Sequence, residues 1–357
     1  MKKTIALLLG ALLCLLAATA AGGTAADPLI SRAYLEGEFS ALLETAISRR
    51  ADDADALVRA AAGGQPGGPG AAAQAVTLKE QDVLSGSTGL TVTSLGGGIR
   101  LDIKAGAVVD ATTGQEISSG RQLELNHRYI LAENTTADFA VTSPAAVICY
   151  GGSGQLTASA RPDYYAISCA LRSLNLFQGS GSGIGEGFDL YRAPTRGEGL
   201  VMFLRLLGEE AEALSCTYGH PFTDVPAWLD RYVAWAYHNG YANGIAPDQF
   251  GCARQISAVE YEEFLLRALG YSVAGVDDYS TSLERALNCG ALTNGEYELL
   301  RQTGFFRAHV AYVSYYSLDM TLSGKTQPLA QRLADKGLVT GEQVAQAQES
   351  VNSLRIY

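Results

Sequence analysis

The chain has 357 residues, of which 47% are hydrophobic and 18% charged, and its formal charge is −11. That length holds two domains with real cores, and the composition is that of a globular protein, not a disordered one. The acidic balance argues against nucleic-acid binding, which needs a basic face, and leaves any anionic ligand to be held by locally placed arginines.

Residues 1–26 read as a secretion signal. Lys2 and Lys3 precede an apolar run from Ile5 to Leu16, too short to span a bilayer, and small residues offer cleavage sites at Ala18-Thr19-Ala20 or Thr24-Ala25-Ala26. Cys14 sits inside the apolar run behind Leu13, which argues against lipidation. No membrane contact is expected after signal cleavage. Residues 27–62 read as a helical segment, with Leu35, Phe39, Leu42 and Ala46 on one face. Residues 63–75 are a Gly/Pro/Ala linker.

Residues 76–158 change character. Short β-rich runs such as Ile99–Ile103, Tyr129–Leu131, Phe139–Val141 and Ala146–Tyr150 are punctuated by glycine clusters, predicting a small all-β sandwich or roll. Gly96-Gly97-Gly98 opens no helix, so a phosphate loop is not expected there.

From 159 to 357 helices return, and the chain repeats itself. Thr195-Arg-Gly-Glu198 aligns with Ser257-Ala-Val-Glu260 and Phe306-Arg-Ala-His309, and Phe203–Gly208 aligns with Leu265–Gly270. Leu318 fills the slot of Leu207 in the third copy. A preceding helix ends in glycines: Ala236-x3-Gly240-x3-Gly244 in copy 2 and Ala286-x3-Gly290-x4-Gly295 in copy 3, with Ala170, Leu174 and Gly179 as the looser counterpart in copy 1. Units of helix, loop and helix cannot bury their apolar faces alone and must stack. Thr195-x-x-Glu198 and Ser257-x-x-Glu260 are capping boxes. Arg196 then occupies the first helical position, where a guanidinium beside free backbone amides makes an anion site.

These residues resemble the S-layer homology (SLH) domain, whose hallmark is a three-fold repeat with a Thr-Arg-Ala-Glu-like helix start. Copy 2 carries the fullest match, with Phe222-Thr-Asp224-Val225, Trp228, Ala236, Gly240, Gly244 and Phe250 ahead of Ile256. Copy 1 adds Phe188, Leu190 and Pro194. The resemblance covers roughly 165–320. It implies a compact helical bundle in which grooves between repeats hold an anionic secondary cell-wall polysaccharide, often pyruvylated, with motif arginines pairing the ligand carboxylate. That role falls to Arg196 and Arg307, both expected to stand without internal partners. Asp224 and Trp228 fall at groove or framework positions, and core packing is the default role for Trp228, Trp235 and Phe222. Gly240 and Gly244 are turn residues. Copy 2 departs with Ala258 at the arginine position, and copy 3 with Phe306 and His309 at the capping positions.

The expected fold is therefore α+β and multidomain: an N-terminal helix, a small all-β domain, and a C-terminal all-α three-repeat domain with added helices around Leu329, Leu333 and Leu338. The expected function is non-catalytic, non-covalent anchoring of a secreted protein to the wall or surface layer. The alternative is a structural or assembly protein, self-associating in a surface layer, whose degenerate repeats bind no glycan. His127, His220, His238 and His309 lack metal-ligand spacing and no GxSxG occurs, so no enzyme, cofactor or metal site is expected. Cys149, Cys169, Cys216, Cys252 and Cys289 form no CxxC and read as small buried hydrophobes.

Overall fold

The computed structural model describes residues 73–179, 187–271, 279–351, 353 and 355–357. The expected signal, N-terminal helix and nearly all of the linker lie outside the described residues. What is described is a mixed structure of two antiparallel sheets followed by ten α-helices.

The strands are β1 (Gln74–Lys79), β2 (Val83–Ser87), β3 (Thr91–Gly96), β4 (Ile99–Ala105), β5 (Val108–Asp110), β6 (Gln115–Ile117), β7 (Arg128–Leu131), β8 (Thr136–Val141), β9 (Ala145–Gly151) and β10 (Gly154–Thr157). They form one sheet in the order β1-β9-β3-β7-β5-β6 and another in the order β10-β2-β8-β4. The first four strands thus alternate between sheets, and the inner faces share one core around Leu84, Val92, Leu101, Phe139 and Ile148. Period-2 alternation explains the pattern. In β8, Ala137, Phe139 and Val141 point inward while Thr136 and Asp138 point out. The alternating runs predicted from sequence fall in β4, β7, β8 and β9.

The helices are α1 (Tyr164–Ser173), α2 (Arg196–Leu206), α3 (Glu210–Ser215), α4 (Asp230–His238), α5 (Ala258–Ala268), α6 (Ser282–Asn288), α7 (Asn294–Gln302), α8 (Arg307–Ser317), α9 (Leu329–Asp335) and α10 (Gly341–Glu349). A second apolar core runs through them, separate from that of the sheets. At the seam between the two parts, Glu80 accepts hydrogen bonds from Arg161 (2.6 Å) and Tyr191 (2.5 Å).

The repeat is visible in the helices. α2, α5 and α8 begin at the aligned residues Arg196, Ala258 and Arg307, each has eleven residues, and their C-caps are the aligned leucines Leu207, Leu269 and Leu318. Most of their side chains are buried, as befits helices packed on several sides. α2 packs on both α5 and α8, and the Tyr261 and Ser314 hydroxyls join α5 to α8 at 2.8 Å.

One detail of the alignment is corrected. The amides of Tyr241 and Ala291 donate to Ala236 and Ala286, and the matching bond in copy 1 runs from Leu176 to Leu171. Leu171, not Ala170, is therefore the counterpart. The left-handed residue after the helix is Gly240 (φ +70°), Gly290 (φ +80°) and Asn175 (φ +59°), so asparagine, not Leu174, fills the glycine slot in copy 1. Asparagine tolerates that region better than other residues with a side chain.

Leu329 and Leu333 are buried, so α9 docks as expected, whereas Leu338 remains exposed. Cys169, Cys216, Cys252 and Cys289 are free thiols. Cys149, Cys216 and Cys252 are buried, and the other two are half-buried. Among the described residues no helix is long and apolar enough to cross a membrane.

Candidate functional site: the junctions between repeats

Thr195 forms the full capping box. Its hydroxyl accepts from the Glu198 amide at 3.2 Å, and its own amide donates to Glu198 at 2.8 Å. At Ser257 the glutamate half is present, with the amide and hydroxyl both donating to Glu260 Oε2 at 3.0 and 2.9 Å. In copy 3 the Phe306 side chain has no acceptor to offer, but its amide donates to His309 Nδ1 at 3.3 Å, so half a box survives. Burial pushes His309 down to about 4, which keeps it neutral.

The helix starts do not present free amides, as the anion-site reading requires. Arg196 and Gly197 donate to the carbonyls of Arg254 (2.7 Å) and Cys252 (3.0 Å). Arg307 and Ala308 donate to Arg192 (3.0 Å) and Leu190 (2.8 Å), which hold the same places one copy along. The loop of copy 2 thus caps the arginine helix of copy 1, and the loop of copy 1 caps that of copy 3.

The two motif guanidinium groups share one carbonyl contact and differ in the others. Arg196 donates to the Asn243 carbonyl at 2.8 Å and lies 4.9 and 5.0 Å from the ring centres of Phe250 and Phe264. Arg307 donates to the Gln178 carbonyl at 2.9 Å, to Phe188 O at 2.7 Å and to Met202 Sδ at 3.4 Å. By the repeat, Gln178 matches Asn243, Phe188 matches Phe250 and Met202 matches Phe264. Arg196 also forms an ion pair with Glu260 at 2.6 Å. Glu198, the counterpart of Glu260, instead pairs Arg192 at 2.8 Å, while its charge is still felt by Arg307. Burial pushes both arginines below their ordinary value, against the pull of those glutamates.

Neither guanidinium therefore stands free at a helix mouth. Arg196 is 0% exposed and Arg307 is buried, so the expectation that both lack internal partners is corrected. The reason is chain geometry: the arginine of one copy reaches the carbonyl and rings of the next, which no local spacing reveals. The remaining candidates are not brought together with them. Asp224 turns inward to accept from the amides of Phe250 and Gly251, both at 2.7 Å. Burial alone would raise its carboxyl, yet those amides hold it below the usual range. Trp228 is 59% exposed, which corrects the core-packing reading, and Trp235 is half-buried and donates to Glu209 at 3.0 Å. Phe222 is buried against Phe250 and Tyr237. Gly244 is required by space: a Cβ there would fall 2.4 Å from the Phe222 ring and 2.5 Å from Gln249 O.

Sequence reasoning passed over Arg192 and Arg254. Each lies six residues before a capping glutamate, and Arg254 binds Glu260 as Arg192 binds Glu198. Glu260 therefore holds two guanidinium groups. Burial would raise its carboxyl, and the hydrogen bond from Arg254 with the charge of Arg196 holds it low. Beside this trio lies a cleft of about 770 Å³, also lined by Phe222, Tyr237, Ile245 and Pro247. Among the described residues lining it, Arg196 and Arg254 are the only bases and Glu260 the only acid. The lining thus carries one excess positive charge in an acidic chain. Among the described residues, no group of three or more His, Cys, Asp or Glu is placed to hold a metal ion.

No family model matches the chain, and no curated protein matches it. Solved structures with local similarity include procruciferin, an 11S globulin from Brassica napus, at 12% identity and TM-score 0.17, with 24% of this chain and 22% of that one covered. Pumpkin seed globulin is similar at 14% identity and TM-score 0.17, with 28% of each chain covered. Coconut allergen cocosin is similar at 11% identity and TM-score 0.16, with 31% of this chain and 35% of that one covered. The chain spans about a quarter to a third of the length of these structures, and scores this low say nothing of its function.

Proposed function

We propose that this protein anchors non-covalently to the bacterial cell wall, its helical repeats holding an anionic, pyruvylated secondary polysaccharide as in the S-layer homology domains it resembles. It performs no catalysis, and it displays the β domain at the cell surface. The observation that best supports the reading is the cleft beside Arg196, Arg254 and Glu260, the size of a small-molecule site. Its lining combines an excess guanidinium with the rings of Phe222 and Tyr237, the pairing an acidic sugar needs.

The test is co-sedimentation of the full chain with purified sacculi, intact or stripped of secondary polymer by hydrofluoric acid. Pelleting with intact sacculi and not with stripped ones is the expected result. A chain that stays in the supernatant with both ends the reading.

A second reading is favoured by the internal satisfaction of Arg196 and Arg307: an assembly protein whose repeats bind only one another. Its signature is concentration-dependent self-association in sedimentation velocity, with no pelleting on either sacculus preparation.

A further inference from the structure

One of the three junctions lacks its motif arginine: between copies 2 and 3 the aligned position is Ala258. A distant part of the chain comes in there. Ser353 Oγ accepts from the amide of Asp163, the N-cap of α1, at 2.9 Å. The Ile356 amide donates to the Tyr312 hydroxyl on α8 at 2.9 Å, and the Ile356 carbonyl accepts from the Thr293 hydroxyl. Thr293 stands three residues after Gly290, as Asn243 stands three after Gly240. The loop position that meets Arg196 in copy 2 therefore meets Ile356 in copy 3.

Arg355 brings the charge. It donates to Glu296 through Nε at 2.7 Å and Nη2 at 2.9 Å, and to the Ala291 carbonyl at 2.7 Å, with the Tyr316 ring centre 4.8 Å from the guanidinium. A carboxylate, a loop carbonyl and an aromatic ring are also the partners of Arg196. Glu296 is 1% exposed and caps α7 as Glu198 and Glu260 cap their helices. Those two take a guanidinium from six residues before, whereas Glu296 takes one from 59 residues later. The charge of Arg355 also reaches Glu262, one turn beyond Ala258 on α5. The imported cation is thus within electrostatic reach of the helix that lacks its own.

The glycines agree. Gly244 and Gly295 close the motifs of copies 2 and 3. A Cβ at Gly244 would strike Phe222 and Gln249 of its own copy, but at Gly295 it would fall 2.5 Å from Tyr357 O and 2.7 Å from Ile356 Cγ2. Gly295 is not left-handed, so the close approach of Ile356 and Tyr357 is what requires a glycine there.

We propose that the junction of copies 2 and 3 is a seat for an extended, arginine-bearing segment and is filled from within. Ser353 and Arg355–Tyr357 form a strap, Arg355 supplies the cation that Ala258 lacks, and Gly295 leaves room for it. The strap closes this junction to outside molecules and ties α1 to copy 3. None of this depends on the wall-binding reading.

The experiment follows amide exchange in the full chain by NMR, with the α2 amides as reference for the intact fold, and adds a synthetic Val351–Tyr357 peptide. In the wild type the Ile356 amide is protected and the peptide does not bind, because the tethered strap outcompetes it. Arg355→Ala speeds Ile356 exchange by about tenfold or more and lets one peptide bind per chain, and Arg355→Lys lies between, having charge without the planar fork. Gly295→Ala speeds exchange as well but binds the peptide at least about tenfold more weakly than Arg355→Ala does, because the seat itself is blocked. Arg301→Ala, on the same helix but paired with Glu298, changes neither reading. Ala258→Arg crowds a second guanidinium into the seat and frees Ile356. Gly295→Ala and Arg355→Lys carry the exchange test where Arg355→Ala does not fold. Unaltered Ile356 exchange in the Arg355 and Gly295 variants overturns the strap. Peptide binding to the wild type as tight as to Arg355→Ala overturns its occupancy from within. Unaltered Ile356 exchange in Ala258→Arg overturns the replacement of the missing arginine.

Discussion

Arg196 and Arg307 begin helices of equal length and donate to matching carbonyls, yet one is locked to a carboxylate and the other is not. The difference lies in the acid. Glu260 is buried and turned toward the arginine of the preceding copy, while Glu198 is half-buried and turned outward to Arg192. A repeat can therefore keep its backbone wiring, with the loops of copies 1 and 2 each capping a neighbour's helix, while its charges drift apart. The junction that kept the most charge also lies beside a cleft.

The largest expected effect tests that contrast directly. Glu260→Gln removes the shared counter-charge from two guanidinium groups, one of them with no access to water. The loss is on the order of 3–5 kcal/mol of unfolding free energy. Glu198→Gln makes the same change at a partly solvated pair and costs about 1 kcal/mol, mostly through its capping role. Urea denaturation of both variants measures the gap. Equal losses would mean that the two junctions are energetically alike and the burial of Arg196 counts for nothing.

Copy 2 differs in a second way. α5 carries buried Glu262 and Glu263 where α2 has Leu200 and Val201 and α8 has Ala311 and Tyr312. Glu262 Oε1 has no hydrogen-bond partner, and burial, with Glu296 nearby, pushes the carboxyl up to about 8. The folded state thus keeps this proton well above the pH at which the unfolded chain releases it. The resulting stability is fully present below the ordinary glutamate value near 4.5 and is lost as pH rises toward 8. Glu262→Gln is expected to match the wild type at pH 4 and to exceed it at pH 8 by on the order of a few kcal/mol. Thermal melts across that range measure it. A variant that gains nothing at pH 8 would show the carboxyl to be ionised and accommodated in the fold.

These effects separate what was legible in the sequence from what was not. The strands could be read because one face of each is buried and the alternation is short-range. The helix starts could be read because a capping box closes within four residues, and the aligned leucines fell where all three helices end. Copy 1 slipped by one residue because an alanine was matched to an alanine, when the conserved physical requirement was the left-handed backbone at Asn175. The fate of Arg196 was not legible, since its carboxylate stands 64 residues away. One signal was overlooked: Arg192 and Arg254 both precede a capping glutamate by six residues, a coincidence between copies that marks a preserved pair.

The smallest effect asks whether copies 2 and 3 lost their charges as a pair. Arg196 faces the capping acid of the next copy, so the absent arginine at Ala258 would face His309, which is buried and held neutral. A guanidinium restored alone, as Ala258→Arg, finds no counter-charge and destabilises. A carboxylate restored alone, as His309→Glu, is left without its cation. Together they rebuild the geometry of Arg196 and Glu260, so the double variant is expected to recover stability beyond additivity by about 1 kcal/mol. A double-mutant cycle by urea denaturation measures that coupling. A coupling of zero would mean that the third junction has repacked so far that the cyclic arrangement survives only between copies 3, 1 and 2, with no seat left to refill.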